Sequence, residues 1–208
     1  MSAELLEDYG GEGFQREIAK IFATEFLTFA GSATLTATGT GQPSGIFTQL
    51  YNTTTNPAHI VATTLGTLGL VDIRNAWKAL PDKIRGNAVW VMSPTALSAI
   101  RSAENGGQAL AELSYSGQGT PLLMGRPVVE SQYAPAFTAT TGTSAQLLTL
   151  VDVADGFVWA NRVPTIVELT QSAQLPGATP TIQHFLISAP RVAFGLLDPL
   201  FGVILANS

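Results

Sequence analysis

Apolar residues recur at spacings of three and four through Phe14, Ile18, Ile21, Phe22, Phe26 and Phe29, which predicts a helix over 13–30. Arg16, Glu17, Lys20 and Glu25 fall mostly on its other faces, and Gly31 stands where a C-cap glycine would end it. At 1.5 Å per residue such a helix is about 27 Å long. It carries too many aromatics for a helix laid on one side only, so it is expected to be packed from several sides. Residues 31–56 are rich in Gly, Thr and Ser and read as loop, and 57–69 are small and polar. A second helix is predicted over 71–80, with Trp77 on its apolar side and Pro81 ending it. Ala88 to Met92 is a short β-branched and aromatic run that reads as a buried strand. Ser93 as N-cap and Pro94 at the first helical position open a third helix, which runs to about Glu104 and stops at Asn105-Gly106-Gly107.

Strands dominate the rest. Gln108 to Tyr115 fits either element, and Gly117 to Pro121 is a loop. Leu122 to Glu130 reads as a strand interrupted by Gly125 and Pro127, hence an edge or bent strand. Thr138 to Ser144 is a polar tip or loop. Further strands are predicted over 147–153, 156–161, 165–170, 181–189, 191–196 and 202–205, with a loop over 171–180. Helices first and strands later is an α+β order rather than a βαβ repeat, and no internal repeat is present.

Composition changes this picture in one respect. Asp, Glu, Lys and Arg make up 12% of the 208 residues, about half the share of an ordinary soluble domain, which is roughly 25%. Mean hydropathy is +0.26. A folded chain of this mass exposes about 9,000 Å². So few charges leave that surface either to uncharged polar residues, Thr above all, or to partners that bury it. The first alternative is a Thr-rich monomer near its solubility limit; extensive assembly is the preferred one. A membrane does not account for the excess. The most apolar stretch, Phe185 to Ala206, is broken by Pro190, Arg191, Asp198 and Pro199. Met1 to Gly13 is acidic and lacks the apolar region of a secretory signal. Net charge is −5 with no Lys/Arg run, which argues against direct phosphate binding while leaving room for an acidic wall around nucleic acid.

Candidate chemistry is sparse. With no cysteine, disulfides, thiolate metal sites and Cys nucleophiles are excluded. The segment Gly39-Thr-Gly41-Gln-Pro-Ser-Gly45 has the glycine content of a phosphate cradle. It follows a helix rather than linking strand to helix, and it lacks a Gly-Lys-Ser/Thr end, so it reads as a tight connector. Ser44 does not have the spacing of a nucleophile elbow. His59 and His184 belong to no His-Glu-x-x-His motif, and His184 reads as a packed or interface histidine. Asp152 and Asp155 are a possible carboxylate pair, but Asp155-Gly156 reads as turn chemistry. No catalytic, cofactor-binding or metal residue is assigned, and no cofactor is expected.

Several segments together resemble the major capsid proteins of tailed double-stranded DNA bacteriophages, the group with the Hong Kong 97-type fold. Leu5-Leu-Glu-Asp8 and the helix after it are similar to the approach to the family's long spine helix, and Gly39 to Ile46 to the loop that follows it. Asn87-Ala-Val-Trp-Val-Met-Ser-Pro-Thr95 is similar to its strand-then-helix step. Leu122-Leu-Met-Gly-Arg-Pro-Val-Val129 with Ala134-Pro135 resembles its bent strand, and Arg191 to Pro199 its closing segment. The resemblance spans nearly the whole chain in order.

The resemblance implies an α+β fold with a spine helix, a peripheral domain and an axial domain. Residues 1–50 would give the peripheral part with the spine helix, 51–146 the axial domain, 147–190 the peripheral strands, and 191–208 a return to the axial domain. It implies a self-assembling, non-enzymatic subunit of an icosahedral phage or prophage head, located in the virion and assembled in the bacterial host cytoplasm. Its partners would be copies of itself in pentamers and hexamers, with scaffold, portal and head-decoration proteins, around DNA held without specific binding, and no membrane. The family's N-terminal arm and extended loop precede the spine helix, whereas only a dozen residues do so here; both are expected to be missing, and complete shells are not expected from this chain alone. The loop that supplies a cross-linking lysine in some members is not matched, so no cross-linking residue is carried over. Two other readings stay open: the shell of a non-viral compartment on the same fold, and an α+β hydrolase.

Overall fold

The computed structural model describes residues 11–52, 59–61, 68–102, 113–137, 145–163, 167–171, 184–188 and 191–207. The chain divides into two compact units, one of residues 31–158 with 194–208 and one of residues 1–30 with 159–193.

The larger unit is organised by the period-two alternation of its strands. On β2 (Val89–Met92), Trp90 points to one face of a sheet and Val91 to the other. Trp90 stands opposite Leu150 of β6 (Ala145–Val151), Leu150 opposite Val203 of β11 (Gly202–Asn207), and Trp90 again opposite Val128 of β5 (Arg126–Glu130). These four make one apolar row across the sheet. Val91, Thr149 and Ile204 make the next row, on the opposite face. With β1 (His59–Val61), β3 (Leu113–Tyr115) and β4 (Pro121–Leu123), the order is β1-β11-β6-β2-β5-β4-β3. β2–β5 and β1–β11 are parallel pairs, and the others for which the register is defined are antiparallel. The predicted buried strand at Ala88–Met92 is therefore a central one, with Trp90 fully buried and its indole N–H donating to the Leu123 carbonyl at 2.9 Å.

Helices cover both faces. On the Trp90 face lie α3 (Leu70–Ala79) and α4 (Pro94–Ser102), through Ile73, Ala76, Leu97 and Ile100. The carboxylate of Asp72 accepts from the Gly69 amide at 3.0 Å at the start of α3, which satisfies one of the donors a helix start leaves open. Ser93 caps α4 as expected: its hydroxyl accepts from the Ala96 amide at 3.3 Å. On the Val91 face, Leu35 packs with Ile46, Phe47 and Leu50 of α2 (Ile46–Asn52), against Val151 and Ile204. Gln49 of α2 is tied to β10 (Arg191–Leu196), where its side-chain oxygen accepts from the Leu196 amide at 2.6 Å.

Three expectations are corrected. The first helix, α1, runs from Gly11 to Thr36, so Gly31 is not its cap. A Cβ there would lie 3.2 Å from the Tyr133 ring, so the glycine serves close packing within a continuing helix. Residues 31–56 are not all loop, because α2 occupies Ile46–Asn52. Leu122–Glu130 is not one bent strand but the hairpin β4–β5, turned at Met124 and Gly125 with φ of 51° and 75°. Pro127 is tolerated because β2 pairs with β5 only from Val128 onward, so the proline has one neighbouring strand, β4.

At the C-terminal end of β6 the chain makes a corner. A one-turn helix α5 (Val153–Gly156) follows, and β7 (Phe157–Val163) leaves it. A 3-10 turn, Pro199–Phe201, precedes β11 beside it. The Asp152 amide donates to the Phe201 carbonyl and the Leu197 amide to the Gly156 carbonyl, both at 2.9 Å. β7 and β10 pair as a two-stranded ribbon. In the smaller unit, β8 (Val167–Gln171) and β9 (His184–Ser188) form an antiparallel pair from Val167 opposite Ser188 to Gln171 opposite His184. The expectations for Leu5–Asp8, the Asn105-Gly106-Gly107 stop, most of 108–115, Thr138–Ser144 and the 172–180 loop lie outside the described residues.

Candidate functional site

The segments with the most chemical promise turn out to be structural. In the Gly39–Gly45 loop, Gly39 and Gly41 take φ of 83° and 68°, and Thr38 and Ser44 form a β-bridge. Gly45 donates to the Ala37 carbonyl at 2.8 Å, and a Cβ there would sit 2.6 Å from the Leu35 backbone. This is a tight crossing from α1 to α2, as the sequence implied, and no Lys or Arg falls in the whole segment from 21 to 73. Asp152 and Asp155 do not pair as acid and base. Asp152 is buried, and one of its carboxylate oxygens accepts the amides of Ala154 at 3.0 Å and Asp155 at 3.3 Å, capping α5. The Asp155 side chain is exposed on that turn. His59 and His184 lie on the backbone of β1 and β9, and their side chains are outside the described set.

Among the described residues no cluster of three His, Cys, Asp or Glu can hold a metal ion, and no helix is long and apolar enough to cross a membrane. Buried polar groups have local structural partners: the Thr149 hydroxyl donates to the Val203 carbonyl at 2.9 Å, for instance. What remains to be explained is the surface. Large apolar side chains stand in solvent at Val71, Tyr115, Val129 and Val158 in the larger unit, and most of all at Leu197, 66% exposed. In the smaller unit Ile21 and Leu27 of α1 are exposed to 61% and 68%, and Phe29 to half. The helix expected to be packed from several sides is thus left with apolar groups on its outer faces. Sequence reasoning expected α1 to be packed from several sides, and the exposure of Ile21, Leu27 and Phe29 does not meet that expectation. It missed the corner, because single apolar residues on short turns carry no periodic signal.

Exposed charges add little to this surface. Lys20 pairs with Glu17 at 2.6 Å and Arg85 with Asp82, both within one turn, and such pairs contribute about 0–1 kcal/mol. Among the described residues the candidate functional feature is therefore a set of large apolar side chains standing exposed, suited to contact with other protein surfaces.

Comparison with known proteins gives this surface its context. The phage capsid family matches residues 1–199. No curated protein matches the chain. Among solved structures, the capsid of an empty GTA particle is 22% identical, covers 100% of this chain and 70% of its own, and has a TM-score of 0.69. A structure of Gordonia phage Cozz is 12% identical over 100% of this chain and 67% of its own, with a TM-score of 0.60. The holo-SrpI encapsulin complex from Synechococcus elongatus PCC 7942 is also 12% identical, over 92% and 65%, with a TM-score of 0.60. At these identities the likenesses show the fold, which is the Hong Kong 97-type capsid fold. By the match over residues 1–199, the chain belongs to the phage capsid family, the shell-forming structural subunits of phage heads.

Proposed function

We propose that this chain builds an icosahedral head by repeating itself in pentamers and hexamers, and that the shell encloses double-stranded DNA without binding it at a specific site. The observation that carries the reading is the pairing of family membership over residues 1–199 with an exterior that leaves Ile21, Leu27 and Leu197 more than half exposed. Burying about 100 Å² of apolar surface at each such residue contributes roughly 2.5 kcal/mol. A few per contact, repeated around every subunit, are enough to hold many weak interfaces together. Under this reading the chain catalyses nothing and needs no cofactor. Assembly takes place in the host cytoplasm, with scaffold, portal and head-decoration proteins as further partners.

The division into a peripheral part (1–50, 147–190) and an axial part (51–146, 191–208) belongs to this proposal. Packing supports one refinement: β6 and the end of α1 go with the sheet they are packed into, so residues 31–158 with 194–208 take the axial role. The test is genetic. Deleting the gene from the phage or prophage should abolish heads in electron micrographs of lysates, and intact heads would end the reading. The encapsulin likeness supports one second reading, a non-viral compartment on the same fold. Particles filled with protein instead of DNA would favour it.

A further inference from the structure

Five of the chain's ten Lys and Arg residues come together at one place in the larger unit, the turn between α3 and β2. Lys78, Lys83 and Arg85 belong to the last turn of α3 and the segment after it, and Arg74 stands one helical turn before Lys78. Arg126 comes from β5, 40 residues further along the chain, and donates to the Gly86 carbonyl. No run of cations in the sequence announces this cluster; the fold makes it. Arg85 holds the turn together: its Nε donates to the Leu80 carbonyl at 2.9 Å, one terminal nitrogen donates to the Lys78 carbonyl at 3.2 Å, the other pairs with Asp82, and its guanidinium lies 5.6 Å from the Trp77 ring. Lys78 and Lys83 are exposed and Arg126 half-buried. The carboxylates on this stretch are Asp82, taken by Arg85, and Asp72, buried at the start of α3 where it accepts the Gly69 amide.

The turn also lacks what a protein partner would use. Leu80, Ile84 and Ala88 are buried beneath it, and among the described residues no large apolar side chain stands exposed between Val71 and Tyr115. What the turn shows to solvent is Pro81, Asp82, Lys83, Gly86 and Asn87. A protein–protein contact draws its affinity from a desolvated apolar centre. A nucleic-acid contact needs none, because cations that displace counterions from phosphates carry the binding themselves. Asp155 and Asp198 of the corner lie at the same end of the sheet, since the basic turn leads into Val89, Val89 pairs with Val151, and the corner begins just after Val151. That acidic border confines the favourable potential to the turn itself.

We propose that this turn meets the phosphate backbone of the double-stranded DNA inside the shell, through Lys78, Lys83 and Arg126. The inference rests on the reading that the shell encloses DNA, and it adds which surface of the subunit faces that DNA. Each lysine offers a point charge to a phosphate, and phosphate contacts carry no sequence information. The contact therefore holds DNA of any sequence. With a net charge of −5 the chain as a whole repels DNA, so the contact of one copy is weak. It accumulates where many copies face one length of DNA, and it leaves the DNA free to slide.

The test titrates the full chain against a short fluorescent DNA duplex at low salt and follows anisotropy. Three phosphate contacts predict an affinity that falls about 20-fold when salt rises about threefold. Lys78→Gln combined with Lys83→Gln leaves one contact and a fall of only about threefold. Lys78→Arg combined with Lys83→Arg restores the steep dependence, and Lys20→Gln, whose lysine is paired with Glu17, leaves it unchanged. Circular dichroism confirms that each variant folds. No binding at low salt, or a salt dependence that the Gln pair does not flatten, overturns the contact. Tighter binding of a poly-glutamate peptide of equal charge also overturns it, and assigns the turn to an acidic polypeptide instead. A second measurement separates this inference from the reading beneath it. In DNA-filled heads made by the chain's own phage or prophage, acetylation of Lys78 and Lys83 should be several-fold slower than in the same heads emptied of DNA. Equal rates overturn the contact alone. Absence of the chain from DNA-holding particles overturns the shell reading and the contact with it.

Discussion

Replacing Gly45 with alanine tests whether the α1–α2 crossing is as tight as its geometry states. The new Cβ would lie 2.6 Å from the carbonyl carbon and oxygen of Leu35 and from the amide nitrogen of Thr36. All three are backbone atoms, so relief requires α2 to move by most of an ångström relative to the end of α1. Overpacking of this kind costs about 1–3 kcal/mol. The movement also strains the 2.8 Å bond from Gly45 to the Ala37 carbonyl, worth about 1 kcal/mol. The sum is about 2–4 kcal/mol. Gly41→Ala is the control. Gly41 has φ of 68° but nothing within 4 Å of its added Cβ, so it pays only the left-handed backbone cost of about 1–2 kcal/mol. Urea unfolding followed by tryptophan fluorescence, at a concentration where the midpoint no longer depends on protein, measures both. With a slope of about 2 kcal/mol per molar urea, Gly45→Ala should lower the midpoint by about 1–2 M and Gly41→Ala by less than about 1 M. Equal shifts, or a neutral Gly45→Ala, would refute the reasoning.

The same assay serves two further substitutions. Asp152→Ala removes the acceptor of the Ala154 and Asp155 amides and should destabilise by about 1–2 kcal/mol, whereas Asp152→Asn keeps a side-chain oxygen and should cost less than about 1 kcal/mol; equal losses would mean that the cap is not the cause. Trp90→Phe leaves the buried Leu123 carbonyl without its indole donor and should cost about 1–3 kcal/mol, and Trp90→Ala about 3–5 kcal/mol; a loss below about 1 kcal/mol for Trp90→Ala would contradict its place at the centre of the sheet. At the level of the genome, the DNA flanking the gene should encode portal, protease and head-completion proteins, and their absence would count against a phage head.

What was legible in the sequence followed from local signals. Ser93-Pro94 marked the start of α4 because an N-cap and a first-turn proline act within one turn. Ala88–Met92 announced a buried strand because its residues are β-branched or aromatic on both faces. The errors have one non-local cause and two local ones. Gly31 looked like a helix stop because its actual reason, the Tyr133 ring 3.2 Å from its missing Cβ, lies about a hundred residues away. The Met124-Gly125 turn was invisible because methionine is not a residue that favours positive φ, so nothing at that position resembles Asn-Gly. The helix α2 was hidden by the Gly/Thr/Ser content on either side, although Ile46, Phe47 and Leu50 at i, i+1 and i+4 were the signal that could have found it. The candidate site was legible only as a deficit of charge. Which residues stand exposed at the corner depends on the turn geometry of 152–158 and 197–201, which composition does not encode.

The central claim is that this chain is a shell subunit. Particles purified by density gradient from cells in which the protein is made by its own phage or prophage should settle it when examined by electron microscopy and by mass spectrometry of their proteins. The account predicts icosahedral shells in which this chain is the most abundant protein. The chain remaining at monomer mass in the soluble fraction, absent from any such particle, would contradict it.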